Sequence, residues 1–389
     1  MIWERDFIQE KGFLLIGQFM IFFALISFLF ASNPLLLFIF ILGYIISLAN
    51  YLYMRYVGKG LLLHNNKSLT RLKINDEDEW KFTFENKGLP ILKGNVQLTF
   101  SNKVEPTDHP FQLVGSLVEV NIPFRALHRE KIEIIVPIKA LKRGVSTIHQ
   151  VEIKIPQLFG NGVVILQNKT MLKSKKLVLP ERKSVSITKK ENYFLQGSQN
   201  IQSSIYFDPL QPIGTREYRN GDPFQYIHWK ASARTGQLQT KVFSKIGAKT
   251  WLILLNVENR ESQLNLENLI SLCAYIIDYA LKKNIPFALA INVKTFGESL
   301  YYNLSEGEGM QQRQKAFDIL AHLSVASFTI PYHLMIQNII QKGVTYPYII
   351  HIGDITPSIE TALSQFSKKG SSIFSVRSSS DQGVMELWR

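Results

Sequence analysis

One short stretch of the chain, Ile213 to Thr235, concentrates side chains that could do chemistry. It reads IGTREYRNGDPFQYIHWKASART and mixes acids, cations, aromatic rings and a histidine. A carboxylate and an imidazole within reach of each other can transfer protons near neutral pH, so Asp222 or Glu217 with His228 is a candidate acid–base pair. Nothing in the sequence places these three side chains on one face.

Three other interpretations fit the same stretch. A nucleic-acid site would combine cations with aromatic stacking platforms, although acids interrupt that pattern here. Its members would be Arg216, Tyr218, Arg219, Trp229, Lys230 and Arg234. A structural hinge would have Asp222 accept hydrogen bonds from turn amides and arginines, while Trp229 and Tyr226 pack into the following domain. A protein-docking surface is the third interpretation, and we expect a hinge that doubles as a docking surface.

The local sequence predicts how this stretch folds. Asn220-Gly221 is a favoured turn pair, because both residues tolerate positive φ. Asp222-Pro223 suits the start of a helical turn, with the acid as N-cap and the proline at the first helical position. We therefore expect the chain to run from TREYR through a tight turn into a helical segment within PFQYIHWKASAR, and then back along a strand QLQTKVFSK.

Elsewhere the sequence gives few signs of catalysis. Neither G-x-G-x-x-G nor the P-loop pattern follows the apolar strand TWLILL, so no nucleotide cofactor is expected. The histidines lack H-x-x-x-H and H-E-x-x-H spacing, and there is no G-x-S-x-G elbow. Cys273 falls in an apolar helical pattern, which predicts a buried packing residue. Asp354 is expected to cap the helix that begins near Thr356, rather than to bind a cation together with Asn256 and Glu258.

The N-terminal region predicts a membrane hairpin. From Gly12 to Met54 the chain has no Asp, Glu, Lys or Arg, and a spanning helix needs about 20 apolar residues. Asn33-Pro34 is a turn signal, so we expect helices near Phe13 to Ser32 and near Leu35 to Met54. A cleaved signal peptide would have a shorter apolar region and a small-residue cleavage site in place of the second span.

Charges that flank the hairpin predict its orientation. Several cations follow the second span before the first acid, Asp76, and they are Arg55, Lys59, Lys67, Arg71 and Lys73. Such cations favour the cytoplasmic side, so the bulk of the chain is expected in the cytoplasm at the cell membrane. The formal net charge of +13 suits either nucleic acid or the anionic inner face of a membrane. The membrane hairpin favours the lipid bilayer, and no nucleic-acid partner is expected.

The soluble part shows two patterns joined by a basic segment. From Leu72 to Leu166, short alternating strands separated by turn residues are typical of an antiparallel, immunoglobulin-like β-sandwich. After residue 250, buried apolar strands alternate with helices, which predicts a doubly wound α/β domain. At 389 residues we expect a multidomain chain, because one core seldom serves so long a sequence. The expected parts are a transmembrane hairpin at 1–60, the sandwich at 61–170, a basic linker at 171–210, and the signature motif with the α/β domain at 211–389.

The segment REYRNGDPFQYIHWKASARTGQLQTKVF, Arg216 to Phe243, is called the signature segment below. It resembles the signature of the bacterial family numbered 58 among the domains of unknown function, the YeaD-like membrane proteins. The matching positions are Arg216, Tyr218, Gly221, Asp222, Ile227, Trp229, Lys230, Ser232, Ala233, Arg234 and Leu238. The family layout is a transmembrane hairpin, a β-region and a C-terminal domain similar to von Willebrand factor type A, and this layout agrees with nearly the whole chain.

The resemblance implies a partner but no reaction. Family members often accompany cytoplasmic AAA+ ATPases of the MoxR type, so such an ATPase is the suspected protein partner. Type A domains that bind Mg²⁺ carry Asp-x-Ser-x-Ser after their first strand, and the matching positions here are Asn256, Glu258 and Arg260. Arg260 would put a cation where the metal should lie, so no bound metal is expected. We therefore expect a non-enzymatic, membrane-anchored scaffold or adaptor, and the alternative is a cell-envelope enzyme that uses Asp222 and His228.

Overall fold

The computed structural model describes residues 3–8, 11–30, 34–64, 67–168, 172–187, 207–245, 250–258, 263–295, 297, 299–378 and 382–388. The chain divides into two compact units, Met1–Leu179 and Pro180–Arg389. The multidomain organisation expected from the length is therefore confirmed.

Two apolar helices, α1 (Lys11–Phe30) and α2 (Pro34–Tyr56), form an antiparallel hairpin in the first unit. Phe23 stacks on Phe40 at 5.8 Å between ring centroids, and Gly43 lies against Met20. Among the described residues, α2 is the one helix long and apolar enough to cross a membrane, while the described apolar part of α1 is shorter. The second of the two expected spans thus has a matching helix, and the two-span topology stays a prediction.

A short strand, β1 (Trp3–Ile8), precedes the hairpin and was not expected from the sequence. It pairs antiparallel with β11 (Val163–Asn168) of the β-region. The Arg5 guanidinium donates to the carbonyl oxygens of Met54 and Arg55, which are orphan acceptors at the C-terminal end of α2. The residues before and after the hairpin therefore belong to one folded body.

The β-region forms two facing sheets. Its other strands are β2 (Leu61–His64), β3 (Leu69–Leu72), β4 (Glu77–Asn86), β5 (Ile91–Ser101), β6 (Val104–Pro106), β7 (Phe111–Val114), β8 (Leu117–Ala126), β9 (Lys131–Ala140), β10 (Gly144–Pro156) and β12 (Lys175–Val178). One sheet has the order β1-β11-β10-β5-β8-β7, with β12 paired to β10 and β3, and the other has the order β2-β4-β9-β6.

Alternating side chains build the core between these sheets. Trp80, Phe82 and Phe84 on β4 are buried, because every second residue of a strand points to the same face. Trp80 lies 6.5 Å from Phe100 of β5, and Phe84 lies 5.2 Å from Phe124 of β8, as ring centroids. The expected sheet-rich region is confirmed, while its immunoglobulin-like topology stays a prediction.

The range 171–210, expected to be a basic linker, contains strands at its described end. Strand β12 joins the first unit, and β13 (Val185–Ile187) joins the sheet of the second unit. Lys176 is 4% exposed and its ammonium pairs with Asp78, so it is not the solvated cation that the run of lysines suggested. Strand β12 has only four residues, KKLV, and is too short for a strand pattern to stand out in that basic run. The stretch 188–206 lies outside the described residues.

The second unit contains a mixed sheet with a parallel centre. Its strands are β13, β16 (Trp251–Leu255), β17 (Phe287–Ile291), β18 (Tyr302–Gly307), β19 (Tyr348–Ile352), β20 (Ser372–Ser378) and β21 (Gly383–Leu387), in the order β13-β21-β20-β19-β16-β17-β18. The pairs β20/β19, β19/β16 and β16/β17 are parallel, whereas β17/β18 and β20/β21 are antiparallel. All five residues of β16, β17 and β19 are buried, as expected when both faces of a strand are covered.

Helices cover this sheet. They are α4 (Gln263–Lys282), α5 (Gly309–His322), α6 (Tyr332–Gln341) and α7 (Pro357–Lys368). Leu252 and Leu254 share a core with α6 and α7, while the neighbouring Trp251 stacks on Tyr279 of α4. That these elements form a doubly wound, type A-like domain stays a prediction.

Candidate functional site

The signature segment is held between two paired strands of the second unit. Strands β14 (Phe207–Glu217) and β15 (Gln239–Lys245) pair antiparallel. Between them lie a single 3₁₀ turn, Phe224–Tyr226, and the short helix α3 (Trp229–Thr235). The order of turn, helical segment and return strand is the one that the local sequence predicts, and strand β14 before the turn is an additional element.

Asp222 is the centre of the turn that follows β14. Its carboxylate accepts two hydrogen bonds from the Arg216 guanidinium, each 2.7 Å, one from the Arg219 amide at 3.0 Å and one from the Thr240 hydroxyl at 3.1 Å. The Arg216 guanidinium and the Arg219 amide hold the pKa of this carboxyl far below its usual range. Gly221 has a φ of 105°, a conformation that glycine tolerates and branched side chains do not. The carboxylate therefore locks the turn to both strands.

The predicted N-cap role of Asp222 is wrong. The 3₁₀ turn after it has Pro223 in the capping position and no side-chain capping bond. The physical reason is competition, because the carboxylate oxygens already bind Arg216, Arg219 and Thr240.

His228 is the residue that caps a helix in this segment. Its Nδ1 accepts the amide of Ala231 at 3.1 Å, which is the third helical position of α3. At the other end, Gly236 has a φ of 71° and its amide donates to the carbonyl of Ser232 at 2.9 Å. These are the two devices that commonly end a short helix. His228 thus has a structural task that its residue type did not predict.

Ser232 ties α3 to the strand beside it. It is 9% exposed, its Oγ donates to the carbonyl of His228 at 3.1 Å, and the same oxygen accepts the Gln239 amide at 2.8 Å. The His228 amide in turn donates to the carbonyl of Gln239 at 2.7 Å. Ile227, 2% exposed, forms an isolated bridge with Thr240. Helix, turn and strand are therefore one connected framework.

This framework presents large aromatic side chains to solvent. Phe224 is 70% exposed and Trp229 is 65% exposed. The rings of Tyr218 and Phe224 lie 6.1 Å apart, and Leu238 is also exposed. The expectation that Trp229 packs into the following domain is wrong, because the inner side of α3 is occupied by Ser232 and leaves the first residue of the helix outside. Tyr226 is half-buried.

The cations of the signature segment differ in pairing and exposure. Arg216 is exposed and is ion-paired with Asp222. Arg219, Lys230 and Arg234 are exposed, and Lys241 on β15 is half-buried. The aromatic–basic surface, as it is called below, is formed by the half-buried Tyr218 and by the exposed residues Arg219, Phe224, Trp229, Lys230, Arg234 and Leu238.

The candidate acid–base pair does not form a dyad in this arrangement. Within the part of the chain that the structure describes, no contact joins Asp222 or Glu217 to His228. Asp222 is ion-paired, and the Nδ1 of His228 is engaged by a backbone amide. A direct proton transfer would require the two side chains to be brought into contact.

A second polar cluster lies at the carboxyl end of β16, where ligands bind in parallel sheets. The Asn256 Oδ1 accepts the Glu258 amide at 3.0 Å and the Asn292 side-chain amide at 3.2 Å. The Glu258 carboxylate accepts the amide of Tyr332 at 3.2 Å, at the start of α6. The side-chain oxygens of Asn256 and Glu258, which a cation would need as ligands, therefore accept hydrogen bonds from the protein itself.

The metal pattern can be compared at two of its three positions, because Arg260 lies outside the described residues. Within those residues, no group of three or more His, Cys, Asp or Glu side chains is placed to hold a metal ion. The absence of a bound metal stays a prediction. Asp354 is exposed and does not cap α7, whose N-cap is Thr356 without a side-chain bond. Instead, the Asp354 carbonyl accepts the Asn256 side-chain amide at 3.2 Å.

Two titratable side chains of this unit, those of His351 and Cys273, are buried in the protein interior. His351, missed by the sequence reasoning, is fully buried on β19, where Nδ1 accepts from Tyr332 Oη at 2.7 Å and Nε2 donates to the Gly353 carbonyl at 3.1 Å. Burial lowers the pKa of His351 to about 4. A lone histidine in the apolar run YPYIIHIGD was the available signal. Cys273 is buried as expected, and burial raises the pKa of its thiol.

Comparisons with known proteins match the signature segment. Residues 214–301 match the model of a family described as Protein of unknown function DUF58. Over 111 residues the chain is 32% identical to the Uncharacterized protein YeaD of Bacillus subtilis (strain 168). That match covers 28% of this chain and 25% of YeaD, so it spans a quarter of the relative's length.

Two solved structures resemble part of the chain at low TM-scores. A non-cellulosomal cohesin from the archaeon Archaeoglobus fulgidus is 14% identical, with 30% of this chain and 88% of the cohesin covered and a TM-score of 0.21. AvmM, which catalyses macrocyclization in alchivemycin A biosynthesis, is 10% identical, with 31% and 84% covered and a TM-score of 0.20. Neither likeness carries an argument about this chain.

Proposed function

The chain carries the DUF58 segment of YeaD-like proteins, and on that premise we propose that it is a membrane-anchored scaffold or adaptor acting through protein–protein contacts. The aromatic–basic surface is its docking site. The observation that carries the proposal is the exposure of Phe224 and Trp229 on a framework whose polar groups are bonded to one another.

Rigid, exposed aromatic side chains are well suited to binding proteins. Tryptophan and arginine dominate the energetics of protein interfaces, and ordered side chains lose little conformational entropy on binding. Here the Asp222 contacts fix the turn that bears Phe224, and the Ser232 contacts fix the helix that bears Trp229. A purely structural tryptophan would instead be expected inside the core.

The charge of the surface indicates the kind of partner. Arg219, Lys230 and Arg234 are exposed in the same segment as the aromatic rings, while Asp222 is already neutralised by Arg216. A partner with an acidic rim and an apolar centre is complementary to this arrangement. A MoxR-type AAA+ ATPase, which the family resemblance suggests, is the proposed partner.

We place the bulk of the chain at the cytoplasmic face of the membrane, anchored by two spans. Strand β1 lies before the hairpin yet pairs with β11 in the β-region, so both ends of the hairpin are on one side of any membrane that α2 crosses. This pairing supports a crossing by α1 as well, because the chain returns to the side it left only after an even number of crossings. The cations from Arg55 to Lys73 support a cytoplasmic orientation of that side.

We also propose that the second unit is a type A-like domain. The proposal is supported by the parallel strands β16, β17, β19 and β20 with helices packed against them. It is further supported by the polar residues Asn256 and Glu258 at the carboxyl end of β16. The unit would then keep the type A architecture, while Asn256 and Glu258, at the positions of the metal ligands, are hydrogen-bonded within the protein.

Affinity capture with the full-length chain from membranes tests the docking proposal. Phe224→Ala and Trp229→Ala are expected to lose the same captured protein, because each removes a large part of the apolar contact. Phe328 is 75% exposed in the same unit but outside the signature segment, so Phe328→Ala is the matched control and is expected to retain capture. Equal capture by all three variants would contradict the proposal.

A further inference from the structure

An apolar groove lies where α2 meets the loops of the β-region. Its volume is ≈ 820 Å³, and it is lined almost wholly by apolar atoms and open on one side. The helix contributes Ala49, Leu52 and Tyr56, and the loop before β5 contributes Leu89 and Pro90. The size is within the range of pockets that hold small organic ligands.

Two hydrogen bonds fix the neighbouring loops along the last turns of α2. The Tyr53 hydroxyl donates to the Pro90 carbonyl at 3.0 Å, and the Asn50 side-chain amide donates to the Phe159 carbonyl at 2.9 Å. At a rise of about 1.5 Å per residue, these contacts lie about 5 and about 9 Å from the helix end at Tyr56. If α2 crosses a membrane, the loops lie at the depth of the interface and not above it.

The tips of these loops are apolar and exposed. Leu158 and Phe159 are 42% and 57% exposed, and Leu89 is 39% exposed, while Leu92 at the start of β5 is 48% exposed. Single exposed apolar residues are ordinary, but a group of them beside an apolar helix indicates contact with another apolar phase. The exposed side of α2, which includes Leu52, continues directly into the groove.

The rim of the groove carries a cation at the same level. Lys59 lines the groove, and its ammonium lies 4.5 Å from the centre of the Tyr56 ring. Tyrosine and lysine are the residues that favour the membrane–water interface, where the ring is half immersed and the ammonium faces headgroups. A lysine there attracts the phosphate of an anionic lipid.

We propose that this groove binds an anionic membrane phospholipid, with an acyl chain along Ala49, Leu52 and Leu89 and the headgroup phosphate beside Lys59. The loop tips at Leu89 and Phe159 are immersed in the interface around it. The inference rests on the proposed membrane insertion of α2. To the proposed function it adds a lipid-binding site, and it fixes the depth at which the loops of the β-region lie in the bilayer interface.

Single-cysteine labelling of the full-length chain tests the position of the loops. Cys273 is fully buried, so an introduced cysteine is the reactive one. Leu89→Cys and Phe159→Cys are labelled with an environment-sensitive fluorophore, and Leu113→Cys on β7, 58% exposed, is the control. The chain is reconstituted in vesicles of phosphatidylethanolamine and phosphatidylglycerol, with or without phospholipid brominated on its acyl chains. Blue-shifted, bromine-quenched emission is expected at Leu89 and Phe159, and unquenched emission at Leu113.

The groove itself is tested by the lipid that stays bound during purification. Ala49→Phe fills the groove and is expected to reduce the phospholipid seen by native mass spectrometry. Leu48→Phe, at an exposed position of the same helix, is the control and should leave it unchanged. Lys59→Ala is expected to reduce the share of phosphatidylglycerol.

The outcomes separate this inference from the proposed function. Release of the chain from vesicles by alkaline carbonate would refute membrane insertion and the anchored scaffold with it. An inserted chain whose labels at Leu89 and Phe159 report water, or whose bound phospholipid is unchanged by Ala49→Phe, would refute the lipid site alone.

Discussion

Replacing Ser232 by alanine is expected to loosen α3 from β15. The Ser232 Oγ is the acceptor for the Gln239 amide at 2.8 Å, and both residues are buried. Alanine leaves that amide without its acceptor, and an unsatisfied buried donor costs about 1–3 kcal/mol. At about 1.4 kcal/mol per factor of ten, local opening should become about 5- to 140-fold more frequent.

Hydrogen exchange of the full-length chain measures this opening directly. The Gln239 amide should exchange faster in Ser232→Ala by the same factor, because exchange follows the local opening equilibrium. Thr235→Ala is the matched control, since Thr235 also donates its hydroxyl to a backbone carbonyl, that of Ala231 at 3.0 Å, but is exposed. It is expected to change stability by less than about 0.5 kcal/mol. Equal exchange rates in the two variants would refute the framework described here.

Three further predictions concern single residues. Gly221→Val should lower the melting temperature through backbone strain of about 1–3 kcal/mol, whereas Gly214→Val should not, because both sites have open space for a side chain and Gly221 alone of the two has positive φ. His228→Leu removes the acceptor for the Ala231 amide and should cost about 1 kcal/mol, while His228→Asn should restore the cap; equal melting temperatures for Leu and Asn would contradict this role. For His351, the folded pKa of about 4 lies below the unfolded value of 6.5, so the unfolded state gains a proton first as pH falls. The free energy of unfolding should therefore decrease by about 3 kcal/mol as the pH falls from about 6.5 to about 4. In urea denaturation, His351→Gln should lack this part of the decrease.

Local signals were sufficient for the order of elements in the signature segment. The Asn220-Gly221 turn, the helical segment and the return strand depend on residues close in sequence, so they could be predicted. The arginine and backbone-amide partners of Asp222 were part of the hinge interpretation, but Thr240 was not, because it reaches the carboxylate only after β15 returns beside β14. Capping by His228 was missed for a related reason, since Asp222 offered the stronger local signal.

Long-range pairing explains the other differences. Strand β1 is short and charged, and its partner β11 lies beyond most of the β-region, so no local pattern indicates their pairing. The exposure of Trp229 was also missed. Hydrophobicity favours burial in general, but the direction of α3 is set by the bonds of Ser232 to Gln239 and His228.

Site-specific photo-crosslinking in cells tests the docking claim most directly. A photoreactive phenylalanine analogue replaces Trp229, Phe224 or, as the control, Phe328 in the full-length chain. The account predicts that Trp229 and Phe224 crosslink to one and the same protein, expected to be a MoxR-type AAA+ ATPase, and that Phe328 does not. The absence of any adduct at Trp229 and Phe224, or the same adduct at all three positions, would contradict it.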